Sequence, residues 1–415
     1  MTSTRTNQNP LFAARLRWLT SAVVLLTTLA STPTAQAQTF TVLHNFAGRP
    51  NDGRMPTAPL IQDGAGNLYG TTFGAGAFSG GTVFKVDASN NETVLHNFWA
   101  GKWGVNPGGG LVQDGAGNLY GTTRTGGDLR CNLNRGYGCG TVFKLDTTGH
   151  LTVLQRFHGW NGDGPNAALL LDPVAGSLYG TTVLGGEASR GTIFRVDIAT
   201  GHLTVLKSFP SSFGFPTGGV VLDAAGNLYG TTASGGGANC DCGTVFKLEV
   251  SRDFVILFGF NGTDGSGPDG GVVLDTAGNL YGVTIAGGNS ACSLGCGVVF
   301  KVNPSTLQET VLYSFTGLAD GAFPAAGVIL DSAGNLYGTT RLGGKTKSAG
   351  GGFGVVFKLD TTLTETVLHT FSSKDGAQPE ASLLRDTAGN LYGTTAFGGL
   401  SACKNGCGVA FKLTP

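Results

Sequence analysis

Asn67-Leu68-Tyr69-Gly70-Thr71-Thr72 returns in close copy at Tyr120, Tyr179, Tyr229, Tyr281, Tyr337 and Tyr392, at steps of 51, 59, 50, 52, 56 and 55 residues. A period near 50 belongs to repeated β architectures, in which each unit buries its apolar face against its neighbours, and not to one large globular core. Around each copy lie four β-like segments rich in β-branched and aromatic residues. In the fourth unit they are a (Gly219-Val220-Val221-Leu222-Asp223), b (Asn227-Leu228-Tyr229-Gly230-Thr231-Thr232) and c (Gly243-Thr244-Val245-Phe246-Lys247-Leu248); segment d is shown by Thr204-Val205-Leu206-Lys207-Ser208-Phe209 at the end of the preceding unit. The a-to-b link Asp223-Ala224-Ala225-Gly226-Asn227 carries the glycine that a tight hairpin needs for positive φ. It recurs from Asp63, Asp114, Asp275, Asp331 and Asp386, with one extra residue after Asp172.

Four antiparallel strands in each of seven units is the arithmetic of a seven-bladed β-propeller. The chain has 71 glycines, 2 methionines and 13% charged residues, a composition suited to short strands and tight turns, so an all-β fold is expected. The phase of the repeat predicts how the ring closes. A lone d segment, Thr41-Val42-Leu43-His44-Asn45-Phe46, precedes the first unit, and the last unit stops after its c segment, Gly408-Val409-Ala410-Phe411-Lys412. The N-terminal strand is therefore expected to complete the last blade, leaving no unpaired edge there. An open solenoid needs no such offset and would carry polar capping units.

Residues 1–37 read as a secretory signal: Arg5, Arg15 and Arg17 precede an apolar run from Leu19 to Ala30, followed by Ala35-Gln36-Ala37 as a small-residue cleavage site. The run is about 12 residues, short of the ~20 that span a bilayer. Residues 38–415 are then the propeller domain, expected to be secreted or periplasmic, monomeric, and without a membrane span. Removal of the leader leaves 23 basic against 26 acidic residues, a net −3, which argues against nucleic acid or an anionic membrane surface as partner.

The Asp-Gly turn, the Leu-Tyr-Gly-Thr-Thr core and the Gly-Gly that follows resemble the GloVer tandem repeat of secreted bacterial proteins of choice-of-anchor type. The resemblance extends over residues 39 to 415, with seven copies. It implies secretion and tandem repetition, and no particular activity. This chain departs from the type in having no recognisable C-terminal anchor.

Features present in every unit point to packing, because a single site needs an asymmetric set of groups. The strand-c basics Lys85, Lys144, Arg195, Lys247, Lys301, Lys358 and Lys412 are read as snorkelling or pairing with a neighbour rather than as an anion ring. His44, His96 and His369 share a strand-d position held by Tyr313 or Lys207 elsewhere, so no metal is assigned to them. Asn161-Gly162-Asp163-Gly164 and Asn261-Gly262-Thr263-Asp264-Gly265 have the look of calcium loops but lack the bidentate glutamate, and read as turn chemistry. No nucleotide loop, nucleophile elbow or zinc-protease helix is present, and no cofactor is expected.

The cysteines break the repeat. All eight fall in b-to-c loops, spaced for local pairs Cys131–Cys139, Cys240–Cys242, Cys292–Cys296 and Cys403–Cys407. Metal binding by Cys240-Asp241-Cys242 is the rival reading for that pair. Closing such short loops contributes about 2 to 2.5 kcal/mol each in the chain-entropy model.

A propeller chain alternates between faces, so the b-to-c and d-to-a loops share one face, where binding is expected. Three of the four tryptophans, Trp99, Trp103 and Trp160, lie in the d-to-a loops flanking the second unit, whose b-to-c loop of 16 residues is the longest. Together with Arg124, Tyr137 and His158, and with Arg130 and Arg135 close by, they form the candidate ligand site. Aromatic faces beside polar groups suit a glycan or a protein ligand; the bland reading is loop packing. A binding module is the favoured function. The alternatives are a propeller enzyme on polysaccharide, a lyase or glycoside hydrolase with acids at the channel mouth, and a structural envelope scaffold; the catalytic residues of such an enzyme are not identifiable.

Overall fold

The computed structural model describes residues 38–48, 50, 52–131, 137–236, 240–344, 350–399 and 403–414. The expected leader and Arg135 lie outside them. Residues 38–415 form one compact unit. Seven four-stranded antiparallel sheets follow one another along the chain as the blades of a propeller. In the fourth blade, a is Val221–Leu222, b Leu228–Thr232, c Thr244–Leu248 and d Phe254–Gly259, paired in that order. The seventh takes a, b and c from Leu384–Arg385, Leu391–Thr395 and Val409–Thr414, and its d strand is Thr39–Asn45 from the start of the chain, paired from Thr39 opposite Thr414 to Asn45 opposite Val409 with a register shift between Val42 and His44. The expected closure is thus present.

The repeated residues are explained by what lies between blades. In strand b the glycine after tyrosine is paired across the sheet with the strand-c phenylalanine, as Gly180 is with Phe194. A Cβ on Gly180 would sit 2.5 Å from Phe194 Cζ and 2.9 Å from Leu169 Cδ2, so no larger residue fits. Each strand-c phenylalanine is fully buried and meets, edge to face, the phenylalanine that ends strand d of the preceding blade. The centroid separations are 4.9 Å for Phe46 and Phe84, 5.0 Å for Phe260 and Phe300, and 5.3 Å for Phe371 and Phe411. Burial of such a ring contributes about 1.5–3 kcal/mol, and the aromatic pair a further ~0.5–1.5. The core therefore lies in the seams between blades. Strand-b threonines add hydrogen bonds across them: Thr71 Oγ1 donates to Gly109 O at 3.2 Å, and Thr394 Oγ1 donates to Ala58 O at 3.2 Å, tying the last blade to the first.

The Asp-to-Tyr spacing is also structural. Asp63 Oδ1 accepts from the amides of Ala65 and Asn67, while Oδ2 accepts from Asn67 Nδ2 at 2.7 Å and Tyr69 OH at 3.0 Å. Burial alone would raise the Asp63 pKa, but the donors outweigh it and lower it; burial and the adjacent carboxylate push Tyr69 up to about 12. The same bonds join Asp114 to Tyr120 and Asp331 to Tyr337. Lys144, Lys301, Lys358 and Lys412 of strand c lie over the tyrosine of strand b, as Lys301 Nζ does 5.7 Å from the Tyr281 ring centroid, while Lys247 pairs with Glu249, in agreement with a packing role.

Candidate functional site

The two loop classes expected on one face are hydrogen-bonded to each other there. Val105 of the d-to-a loop between the first and second blades bridges Thr125 of the next b-to-c loop, and the bridge recurs as Asp163 with Leu184, Ser266 with Ala286 and Ala377 with Phe397. Asp-Gly turns cap these loops: Asp264 Oδ1 accepts from Asn261 N at 2.9 Å and Asp375 Oδ1 from Ser372 N at 2.7 Å, the turn chemistry expected of them. The four disulfides form as spaced, including Cys240–Cys242.

The candidate residues around the second blade divide into two groups. Trp99 lies 5.9 Å from Trp103 and 5.7 Å from Phe78, ring centroid to centroid, with Lys102 Nζ 5.1 Å from the Trp103 ring. Trp103 is half-buried against the core between the first two blades, the packing alternative for that residue. Next in sequence, His158 stacks on Trp160 with centroids 6.4 Å apart, and its Nδ1 lies 2.7 Å from Asp128 Oδ2. Arg130, bonded through its side chain and amide to Asp128, holds that carboxylate well below the usual range, with His158 assisting. Phe78, Trp99, Tyr137 and Trp160 are 60%, 38%, 70% and 71% exposed. Sequence reasoning passed over Phe78, whose signal is a phenylalanine in a Gly- and Ser-rich loop.

Arg124 belongs elsewhere. It lines a central cavity of about 440 Å³, to which none of the aromatic candidates contributes. The walls are small because adjacent inner strands touch backbone to backbone: a Cβ on Gly270 would lie 2.0 Å from Gly327 N. Directly after the proline that leads into strand a, one residue per blade lines the lumen, in order Thr57, Gly108, Asn166, Thr217, Asp269, Ala325 and Glu380. Arg341, placed after strand b like Arg124, sets its Nε 2.9 Å from Glu380 Oε1. Burial raises the pKa of Asp269, with Thr217 and Arg341 opposing; it also raises Glu380, where Arg341 opposes and Asp269 adds to the rise. Thr217 Oγ1 is buried beside Asp269 without a hydrogen bond of good geometry. These acids were missed in the sequence, although an uneven residue after an otherwise regular proline is a signal for them.

His44 Nε2, Asp52 and Glu92 are the one group of three metal-ligand types converging among the described residues, within 4.8 Å of one another. At the seam between the fifth and sixth blades the same places hold Tyr313, Asp320 and Glu365, with Tyr313 OH donating to Asp320 at 3.0 Å. A motif that survives loss of its histidine is a seam contact, and no metal is assigned to it.

The seven four-stranded blades closed by the N-terminal strand define a seven-bladed β-propeller. The chain belongs to the Gloeobacter/Verrucomicrobia repeat family, whose model matches residues 29–240, 131–350 and 216–415. No curated protein matches it. Among solved structures it is similar to the extracellular domain of BT3049 from B. thetaiotaomicron, described as a hybrid two component system, at 13% identity and a TM-score of 0.55 over 91% of this chain and 41% of that one. The extracellular domain of BT4673 from the same organism, described as a one component system, matches at 11% identity and a TM-score of 0.53 over 89% of this chain and 39% of that one. The chain thus spans about two fifths of these domains. Oligogalacturonate lyase from Vibrio parahaemolyticus matches at 13% identity and a TM-score of 0.55, over 90% of this chain and 93% of that one. At these identities the likeness is one of fold.

Proposed function

We propose that this protein is an extracytoplasmic binding module that holds a carbohydrate on its loop-bearing face through Phe78, Trp99, Tyr137 and Trp160. One observation carries the reading: of the five exposed aromatic side chains among the described residues, these four come from four successive loops, and only Phe353 lies elsewhere. Exposed rings spaced among Lys102, Arg130 and His158 offer apolar faces to sugar C–H groups and polar heads to hydroxyls. The extracytoplasmic setting is supported by the leader pattern of residues 1–37 and by four disulfides. No helix among the described residues is long and apolar enough to cross a membrane.

The test is a polysaccharide pull-down and glycan array with residues 38–415, alongside a Trp99→Ala/Trp160→Ala variant; Trp103 is left intact because it packs into the core. Glycan retention reduced at least about tenfold, with circular dichroism unchanged, is the expected result. Absence of any glycan binding, or retention equal in the variant, overturns the reading and points to a protein ligand.

A second reading, catalysis on polysaccharide, is favoured by Asp269 and Glu380, two carboxyls in one cavity both raised by burial. It predicts new sugar ends released from a retained polysaccharide and abolished by Glu380→Gln. Retention with no release removes it.

A further inference from the structure

The central cavity is chemically lopsided in a way that packing does not require. Among the lining residues, charge occurs at four places only: Asp269, Arg341 and Glu380 on the consecutive fifth, sixth and seventh blades, and Arg124 on the second blade, across the lumen. Arg341 is neutralised by Glu380. Arg124 forms no ion pair among the described residues and stands exposed in the wall. An unpaired guanidinium is a rigid fork of donors suited to a carboxylate, which it grips bidentately. Lining the same cavity are the carboxyls of Asp269 and Glu380, the Asn166 amide and the Thr217 hydroxyl, a set able both to accept from and to donate to hydroxyl groups. About 440 Å³ lies within the ~300–1,000 Å³ of ordinary small-molecule sites.

We infer that the cavity is a second binding compartment, for one carboxylate-bearing sugar unit whose carboxylate rests on Arg124 and whose hydroxyls face Asp269, Glu380 and Asn166. The inference rests on the carbohydrate reading for its class of ligand, but uses none of the aromatic residues that carry that reading. The second blade supplies both Arg124, which lines the cavity, and the exposed Tyr137.

Calorimetry on residues 38–415 with galacturonic acid, its trimer, and the neutral sugar galactose tests this. The acidic sugars should bind at least about tenfold more tightly than galactose. Arg124→Gln should remove that preference and leave binding of neutral polysaccharide unchanged, while Trp99→Ala/Trp160→Ala should leave galacturonic acid binding unchanged. Arg124→Lys, which keeps the charge and loses the fork, should fall between wild type and Arg124→Gln and serves if the glutamine variant folds poorly. Equal affinity for acid and neutral sugar, no binding of either acidic probe, or an acid preference indifferent to Arg124→Gln overturns the inference. Loss of polysaccharide binding in the tryptophan variant with the acid preference intact separates the two sites.

Discussion

Two positions recur once per blade and behave in opposite ways. The glycine after the repeat tyrosine is glycine seven times, from Gly70 to Gly393. The residue after the inner-strand proline is threonine, glycine, asparagine, threonine, aspartate, alanine and glutamate in turn. The first position is pressed against a buried phenylalanine, so packing dictates its identity; the second faces an open lumen, where packing demands almost nothing. Uniformity in this chain therefore marks the seams, and variation marks surfaces free to take on chemistry.

The contrast is broken most severely by removing a seam ring. Phe300→Ala should cost about 3–5 kcal/mol in chemical denaturation, since it empties a fully buried site and strands Phe260. Next, Gly180→Ala should cost about 1–3 kcal/mol by overpacking Phe194 and Leu169, and a change below ~0.5 kcal/mol would show that the seam is looser than its geometry implies.

Three seams carry a proton-dependent contact. Burial, with Asp52, Asp264 and Asp320 alongside, raises the carboxyls of Glu92, Glu309 and Glu365 to about 7 from 4.5. The folded chain holds these protons more tightly than the unfolded chain, so their stabilisation is full below about pH 4.5 and is lost as pH rises towards 7. Replacing all three by glutamine should lift the melting temperature increasingly between pH 5 and pH 8. Their partial exposure limits the gain to about 1 kcal/mol. A pH-independent difference would dismiss the contact. At the lumen, by contrast, Thr217→Ala should change stability by less than ~0.5 kcal/mol, because its buried hydroxyl has no good partner to lose.

The repeat made much of the fold readable. Tyr69 with Asp63, Gly70 with Phe84, and the stray strand Thr39–Asn45 each obey a local rule, a turn, a cross-strand pair or an unpaired edge, that neighbouring residues reveal. The aromatic loops around the second blade were readable as a cluster because sequence neighbours share a sector. Whether each ring faced solvent was not: Trp103 turned into the core while Trp99 and Trp160 stayed out. Arg124 was grouped in the sequence with the loop aromatics, whereas it lines the central cavity and none of those aromatics does. Asp269, Arg341 and Glu380 lie up to 111 residues apart and converge only because the ring brings blade interiors together. By itself the sequence determined the blade and its count, which follow from interactions within one period, and the closure, which follows from the phase of the repeat at the two ends of the chain. The tertiary structure alone decided which acids and guanidinium groups share the channel, because that depends on distances across the ring that no local pattern encodes.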